Sequence, residues 1–211
     1  MEAFLNVYEK LNGQCRYYSR HLGHLKALIE NSDYCRVVDG SMTGRVLLLG
    51  NSEITNALVL FNTRMLDTDR DAISIFKLAR HLPENKAIQQ HHNARMIASG
   101  MKYSIDRYFL ARTKFIAAQR KLRSDDTVSK LRSLRNYTLA HHIEPEVEPE
   151  RATLNDLLQL TEAVIGLVEL AGYIVTSSLG VYRDFSARAE KETKMLYAAL
   201  PTLANVEKEL N

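Results

Sequence analysis

The sequence predicts an all-α fold, and three observations support that prediction. Apolar residues recur at intervals of three and four along most of the chain, as in Leu5, Tyr8 and Leu11, which is the spacing of one face of an α-helix. No segment shows the period-two alternation that is typical of a half-buried strand. The chain contains only 9 Gly and 4 Pro in 211 residues, so few positions interrupt a helix.

The few helix breakers divide the pattern into segments. Asn31 ends the first helix and Asp67 the second. Pro83 and Pro201 lie just beyond two later helices, because the residue before a proline avoids the helical conformation. Capping side chains and acids at residues 124–127 favour a helix start. We expect helices over about 2–30, 36–66 (one helix or two divided near Gly40), 73–82, 84–123 (one helix or two divided at Gly100), 124–142, 153–178 and 181–200.

Length and composition predict one soluble domain over residues 1–211. A chain with 45% hydrophobic and 25% charged residues can bury a core without disulfides. The most apolar stretch, 157–175, contains Glu162 and Glu169, whose carboxylates make a membrane-spanning helix costly. Cys15 and Cys35 show no metal-binding spacing, and the first residues lack the order of a signal peptide. We therefore expect a cytoplasmic protein with reduced thiols and no membrane association.

Positive charge is concentrated in one region of the chain. The net charge is only +3, which does not by itself favour nucleic acid. Ten cations lie close together: Lys102, Arg107, Arg112, Lys114, Arg120, Lys121, Arg123, Lys130, Arg132 and Arg135. Four aromatic residues are interleaved with them: Tyr103, Tyr108, Phe109 and Phe115. The region is either a phosphate-binding surface or a solvated helix face whose aromatic rings point into the core. An acidic loop, 144–150, follows and could shield this surface, dock a partner or act as a spacer.

The segment 131–142 combines residue types that could act on a phosphodiester; it reads LRSLRNYTLAHH. Arg135 carries a permanent charge that can bind a phosphate through two parallel hydrogen bonds. His141 and His142 can take up and release protons near neutral pH. The Asn136 amide can orient an imidazole or bind phosphate. These groups suffice for RNA cleavage without a metal, in which the 2′-hydroxyl attacks the neighbouring phosphate.

This segment resembles the signature of the HEPN superfamily, an Arg followed four to six residues later by a His. Its form Leu-Arg-Asn, three residues, then Ala-His is similar to the abortive-infection AbiU-type branch. A second block agrees with that branch in its order: residues 59–67, the turn at 72–75 and the short helix that follows. The resemblance covers about residues 35–175. It implies a HEPN-like up-and-down helical bundle, here with extra N- and C-terminal helices, that forms a homodimer around the motif helix.

The resemblance also implies an activity. Many HEPN proteins are metal-independent endoribonucleases of toxin–antitoxin or phage-defence systems, which use the motif Arg and His in a cleft between two subunits. On this basis Arg135, Asn136 and His141 are the expected catalytic residues, with His142 in reserve. Three nearby cations are expected to bind substrate: Arg132, Lys130 and Arg123. RNA, a second copy of the chain and an antitoxin protein are the expected partners. We expect no DNA substrate, cofactor or metal. The alternatives are a non-catalytic HEPN-like module that binds RNA or protein, and a purely structural helical dimer.

Two histidines compete for the catalytic role. On a regular helix, at about 100° per residue, His142 lies about 20° from Arg135 and His141 about 120° away. Alignment with the family favours His141, and a site shared by two subunits removes the geometric difficulty. Some HEPN toxins carry a tyrosine two residues after the His, which a partner nucleotidyltransferase modifies. Here Ile143 or Glu144 takes that place, which argues against inactivation by that route.

Other candidate sites are weaker. His21 and His24 lie one helical turn apart, but no carboxylate or Cys at metal-binding spacing accompanies them, so we expect a surface pair. His91 and His92 follow two Gln residues and suggest a solvated stretch. The sequence contains no P-loop, no Gly-x-Gly-x-x-Gly and no Gly-x-Ser-x-Gly motif, so nucleotide-binding and serine-hydrolase sites are not expected.

Overall fold

The structure is a computed structural model that describes residues 1–33, 38–100, 104–139, 152–176 and 181–210, with the side chains of all but 134–139, 181, 204 and 207–210. These described residues form eight α-helices and no strands, which confirms the all-α prediction. The helices are α1 (Glu2–Glu30), α2 (Met42–Met65), α3 (Ile75–Arg80), α4 (Asn85–Ser99), α5 (Asp106–Arg123), α6 (Asp126–Leu139), α7 (Leu154–Thr176) and α8 (Val181–Leu210).

Helix α7 lies at the centre of the bundle and contacts each of α1 to α6. Its buried residues, among them Leu157, Val164 and Val168, recur at helical spacing. With 23 residues, α7 is long and apolar enough to cross a membrane by length and composition, a property that core helices of water-soluble proteins share. Its carboxylates lie at the edge of the core. The Glu162 carboxylate is 2.6 Å from Lys26 Nζ, and burial raises the pKa of the Glu169 carboxyl.

Helix α1 lies between the centre of the bundle and α8. Gly23 of α1 allows the two helices to approach closely, because a Cβ atom there would lie 2.2 Å from the Ser186 carbonyl oxygen of α8. Tyr182 of α8 belongs to the main hydrophobic core together with residues of α1 and α7. A smaller cluster, formed by Ala27, Val38, Tyr197 and Leu200, holds the other end of α8.

Several predicted boundaries are confirmed. Helix α1 ends at Glu30, where Asn31 Nδ2 donates a hydrogen bond to the Ala27 carbonyl at 2.8 Å. The predicted helix 36–66 begins later than expected, at Met42: residues 38–40 form a turn in which Gly40 has a φ of 79°, and the Ser41 side chain caps the start of α2. The segment 84–123 is two helices, and Gly100, with a φ of 68°, ends the first of them. Glycine adopts this left-handed conformation without a Cβ clash.

The prediction that Pro201 ends the last helix is wrong, because α8 continues through Pro201 to Leu210. A proline inside a helix removes one backbone hydrogen bond and costs about 3 kcal/mol. Burial of the residues just before the proline helps to offset that cost. Tyr197 and Leu200 are buried before it, and Leu203 after it lines a groove between α8 and α2.

Candidate functional site

Helix α6 carries the described part of the predicted catalytic motif. Asp125 Oδ1 accepts a hydrogen bond from the Thr127 amide at 2.9 Å, a side-chain cap that satisfies one of the free amides at the helix start. Val128 and Leu131 are buried, and they hold α6 against the core, where it contacts α2 and α7. The motif helix is therefore anchored at its first two turns.

Only part of the catalytic set lies on the described chain. The backbone of Arg135 and Asn136 belongs to α6, and their side chains lie outside what the structure describes. His141 and His142 lie wholly outside the described residues, as does the acidic loop 144–150. The pairing of Arg135 with either histidine therefore stays a prediction.

Arg132, a predicted substrate-binding residue, ties α6 to the end of α2. Its Nη2 atom donates a hydrogen bond to the Leu66 carbonyl oxygen at 2.9 Å. Leu66 is the C-terminal cap of α2, where carbonyl groups lack partners within the helix. The side chain is otherwise exposed, and a guanidinium carries five N–H donors. The contact with Leu66 thus leaves further donors for a phosphate.

Lys130, also predicted to bind substrate, lies near the start of α7. There the Thr153 amide and hydroxyl both donate to Asp156 Oδ2 at 2.8 Å, and the Asp156 amide donates to Thr153 Oγ1 at 3.1 Å. These reciprocal bonds form a capping box. They lower the pKa of the Asp156 carboxyl, and the positive charge of Lys130 contributes to the same shift. A carboxylate therefore competes with any phosphate for the charge of Lys130.

Arg123, the third predicted binding residue, ends α5 and lies over an aromatic ring. Its guanidinium carbon is 5.8 Å from the centre of the Phe76 ring of α3, within the range of a cation–π contact. Arg120 and Lys121 occupy the same last turn, where positive charge is favourable at the negative end of a helix dipole. Arg123 and Arg132 thus contact α3 and α2, and Lys130 acts on α7 through its charge.

The exposed side of α5 carries a regular row of cations, which we call the α5 cation row: Arg107, Lys114 and Lys121. All three are exposed, and their seven-residue spacing places them on one side of the helix at intervals of about 10 Å. None of them forms an ion pair with another described residue. Tyr108 and Phe115 are buried, and Phe109 packs partly buried against the core, so these rings point inward as one of the two interpretations predicts. Phosphate binding by the exposed cations stays a prediction. Tyr103 lies outside the described residues.

A cleft of about 390 Å³ lies between α5, the start of α6 and α7. Its charged lining residues are Lys121, Asp125 and Asp156, and its walls include Leu122 and Leu167. Two carboxylates beside one ammonium group make this cleft unsuitable for a phosphate. The capacity of this region to bind anions therefore lies mainly on Arg107 and Lys114 of the α5 cation row, because Lys121 also lines the cleft beside the two carboxylates.

The prediction that His91 and His92 form a solvated stretch is wrong for His92, which is buried. His92 Nε2 is 2.6 Å from the Ile174 carbonyl oxygen, and its ring stacks on Tyr108 with centres 3.5 Å apart. His91 Nε2 is 3.1 Å from the Val175 carbonyl oxygen. The two rings thus lie within hydrogen-bonding distance of carbonyl groups at the end of α7, which lack partners within the helix. Burial lowers the pKa of His92, so we assign it a structural role.

His21 and His24 are half-buried and not a fully exposed pair. His24 Nδ1 forms a hydrogen bond with the Thr193 hydroxyl of α8, and His21 Nδ1 is 3.5 Å from the Tyr17 carbonyl oxygen. Burial lowers the pKa of both imidazoles. In the part of the chain that the structure describes, no group of three or more His, Cys, Asp or Glu residues could hold a metal ion.

Sequence reasoning missed a buried polar pair one turn before Leu66. Asn62 Nδ2 donates hydrogen bonds to the Leu58 carbonyl at 2.9 Å and to Thr161 Oγ1 at 2.7 Å, which links α2 to α7. Both side chains are fully buried, and Asn62 Oδ1 has no hydrogen-bond partner among the described residues. An Asn directly after the apolar run 58–61 was the signal that could have indicated this pair.

Comparison of the chain with protein-family models, with curated proteins and with solved structures finds no match. The similarity to the HEPN superfamily therefore depends on the residues of the two motif blocks alone.

Proposed function

We propose that the protein is a metal-independent endoribonuclease of the HEPN superfamily, in its abortive-infection AbiU-type branch. The observation that supports this most is the α5 cation row, which leads along the chain directly into the motif helix. Only Ser124 and Asp125 separate α5 from α6. A surface suited to an RNA backbone thus adjoins the helix that bears Arg135 and Asn136.

The α5 cation row suits contacts with phosphates better than contacts with bases. Lys and Arg side chains that neutralise phosphates release bound counterions, so the binding weakens as salt rises. Base recognition in single strands commonly uses exposed aromatic rings on which bases stack. Because Tyr108 and Phe115 are buried, α5 offers no such platform at these positions. We therefore expect salt-dependent RNA binding with little base preference from α5.

In the proposed reaction His141 removes the proton from a 2′-hydroxyl group, and the 2′-oxygen attacks the adjacent phosphorus. The bond between phosphorus and the 5′-oxygen breaks, and a protonated imidazole returns a proton to that oxygen. Arg135 stabilises the charge that develops on the phosphoryl oxygens, and Asn136 orients the imidazole or the phosphate. The products are a 2′,3′-cyclic phosphate and a 5′-hydroxyl end. His142 is the alternative proton carrier.

The biological setting follows from the resemblance. We propose a cytoplasmic toxin or phage-defence protein that acts on RNA, forms a homodimer around the motif helix and is held inactive by an antitoxin protein. A second candidate is a non-catalytic HEPN-like module that binds RNA or protein. The packing contacts of Arg132 with Leu66 and of Arg123 with Phe76 favour it, since they give cations near the motif a structural role.

An RNA cleavage assay in excess EDTA tests the proposal. Wild-type protein is compared with Arg135→Ala, His141→Ala and His142→Ala on total RNA and tRNA, with 2′,3′-cyclic phosphate ends as the readout. Removal of one positioned acid–base group or of one group that stabilises transition-state charge lowers rates by roughly 100-fold or more, and we expect such losses in His141→Ala and Arg135→Ala respectively.

Two variants serve as matched controls for that assay. Arg188→Ala removes an exposed arginine of α8 that pairs with Glu192, and His81→Ala removes an exposed histidine after α3. Both controls are expected to cleave like wild type. Undiminished cleavage by Arg135→Ala would contradict the assigned site. Salt-dependent RNA binding without cleavage would establish the non-catalytic module instead.

A further inference from the structure

A cavity of about 520 Å³ lies between α1, α7 and α8, and we call it the α1–α7–α8 cavity. Ligand pockets in proteins usually have volumes of roughly 300–1,000 Å³, so this cavity has room for a small molecule. Part of its wall is apolar and consists of Leu22, Ile165 and the ring of Tyr182. Each of these residues is only 5% exposed, so the core holds this part of the wall in place.

Three of the charged side chains that line the cavity already have ion-pair partners. Lys26 Nζ of α1 lies 2.6 Å from Glu162 Oε1 of α7, and both residues belong to the lining. Glu190 Oε1 lies 2.7 Å from Lys194 Nζ, one turn further along α8. The charges of Lys26, Glu162 and Glu190 are therefore balanced without a ligand.

The two other charged side chains of the lining, Glu169 of α7 and Arg183 of α8, have no such partner. Neither forms an ion pair with another described residue, and they do not pair with each other. Burial raises the pKa of the Glu169 carboxyl, and the positive charge of Arg183 opposes this shift. The cavity thus contains one acid and one base that interact through their charges without touching.

Two buried oxygen atoms of the lining residues, Glu169 Oε1 and Ser186 Oγ, have no hydrogen-bond partner among the described residues. Ser186 is only 6% exposed and lies one turn after Arg183 on α8. Buried polar atoms in native proteins nearly always have a partner. An ionised carboxylate can only accept hydrogen bonds, and a hydroxyl can donate or accept. Because the Glu169 side chain as a whole is partly exposed, a donor in the cavity can reach its carboxylate.

We propose that the α1–α7–α8 cavity binds a free α-amino acid with an apolar side chain. The ammonium group of the ligand donates hydrogen bonds to the Glu169 carboxylate and to Ser186 Oγ, and its carboxylate accepts from the Arg183 guanidinium. A single carbon atom joins the two charged groups of an α-amino acid, which suits an acid and a base that are close but not paired. The side chain of the ligand packs against Leu22 and Ile165.

Other classes of ligand fit the cavity less well. An amine without an acidic group leaves Arg183 without a partner, and a phosphate or another simple anion is repelled by the carboxylate of Glu169. A metal ion is not favoured either, because no group of three or more His, Cys, Asp or Glu residues in the described part of the chain could hold one.

The inference does not depend on the proposed function. The lining of the cavity comes from α1, α7 and α8, whereas the predicted catalytic motif begins on α6. Binding of an amino acid and cleavage of RNA are separate measurements, so either proposal can fail while the other holds.

Isothermal titration calorimetry of the purified full chain with L-leucine, L-valine, L-methionine and L-phenylalanine tests the proposal. At least one of these amino acids is expected to bind. For L-leucine, two analogues each lack one charged group: 3-methylbutylamine has no carboxylate, and 4-methylpentanoate has no ammonium group. Each analogue is expected to bind about tenfold more weakly or worse, because it loses hydrogen bonds to a charged partner. The other amino acids are paired with their own amine and acid analogues in the same way.

Variants of the two unpaired residues provide a second test. Glu169→Gln and Arg183→Gln remove one charge each and are expected to weaken binding of the amino acid about tenfold or more. Arg188→Gln, which removes an exposed arginine of α8 outside the lining, is the matched control and should bind like wild type. Because Arg183 is exposed, its variant should keep the helical circular dichroism of wild type.

Three results would overturn the proposal. The first is a wild-type protein that binds none of the four amino acids at millimolar concentrations. The second is binding that survives both Glu169→Gln and Arg183→Gln, because another site would then hold the ligand. The third is an amine or acid analogue that binds as tightly as its parent amino acid.

Discussion

The two halves of α2 have similar apolar content and opposite surroundings. In the second half Leu58, Val59 and Phe61 are at most 2% exposed, whereas Val46 and Leu49 in the first half are about two-thirds exposed. The second half is held on several sides: the ring of Tyr18 in α1 stacks on Phe61, Thr161 of α7 bonds Asn62, and Arg132 of α6 bonds Leu66. The first half meets α8 along one side, where the Tyr197 hydroxyl donates to Asn51 Oδ1 at 3.2 Å.

This difference shows that an apolar run on a helix predicts burial without identifying the partner. For the second half of α2 the partner is the rest of the same chain. The first half meets α8 along one side, and Val46 and Leu49 stay exposed. The same spacing of apolar residues thus occurs both on a buried half and on an exposed half of one helix.

The strongest effect should come from shortening a buried aromatic residue of the second half. Phe61 is fully buried and its ring centre lies 4.5 Å from that of Tyr18, so Phe61→Ala should lower the free energy of unfolding by about 3–5 kcal/mol. Leu49→Ala, on the exposed half, should change it by less than about 0.5 kcal/mol. Urea denaturation at low protein concentration measures both values. Equal losses would contradict the contrast between the halves.

Two glycines of the first half should respond to alanine with opposite signs. A Cβ atom on Gly44 would lie 2.1 Å from the Val38 carbonyl oxygen, whereas no atom lies within 4 Å of a Cβ on Gly50. Gly44→Ala should therefore destabilise the fold by about 1–3 kcal/mol. Gly50→Ala should stabilise it by about 0.5–1 kcal/mol, because alanine loses less backbone freedom in a helix. Thermal unfolding of the two variants measures both changes in stability. Changes of the same sign in the two variants would contradict the prediction.

The smallest expected effect is a change in how stability depends on pH. It compares a buried histidine, His92, with exposed ones. Burial lowers the pKa of His92, the hydrogen bond to Ile174 opposes this shift, and the charges of His91 and Arg95 add to it. The unfolded chain therefore binds a proton at His92 at a higher pH than the folded chain does. The contribution of the uncharged His92 to the free energy of unfolding is therefore fully present above about pH 6.5, the pKa of a free histidine. It decreases as the pH falls below that value.

Urea unfolding at several pH values between about 5 and 8 tests this expectation. His92→Gln should lower stability near neutral pH and reduce its decrease in acid. His81→Gln, at an exposed position, should leave the pH dependence as it is in wild type. An unchanged acid decrease in His92→Gln would show that other groups cause it.

Most helix ends could be predicted because they depend on local chemistry. Gly100 ends α4 through its own backbone conformation, and Ser41 caps α2 through its own side chain. Pro201 misled the prediction because its local cost is outweighed by distant packing, in which Tyr197 and Leu200 contact Ala27 and Val38. A single sequence shows local causes, such as a capping side chain, but not packing between residues that are distant in the chain.

For the candidate site, the sequence could predict which residue types are present and how far apart they lie in the chain, but not which groups they contact. Arg132 is 66 positions from the Leu66 carbonyl that it contacts, and His92 is 82 positions from Ile174. Such contacts follow from how the helices pack, so the sequence could indicate the charge of Arg132 but not its structural bond. For the same reason the sequence did not distinguish the buried His92 from its neighbour.

The proposed chemistry can be tested most directly on the substrate. An RNA that wild-type protein cleaves is resynthesised with a single 2′-deoxy nucleotide at the cleaved position, and both forms are incubated with the protein in excess EDTA. Our account predicts that cleavage at that position disappears in the substituted RNA, while the unmodified RNA gives a 2′,3′-cyclic phosphate end. Continued cleavage of the deoxy-substituted position, or no cleavage of any RNA, would contradict it.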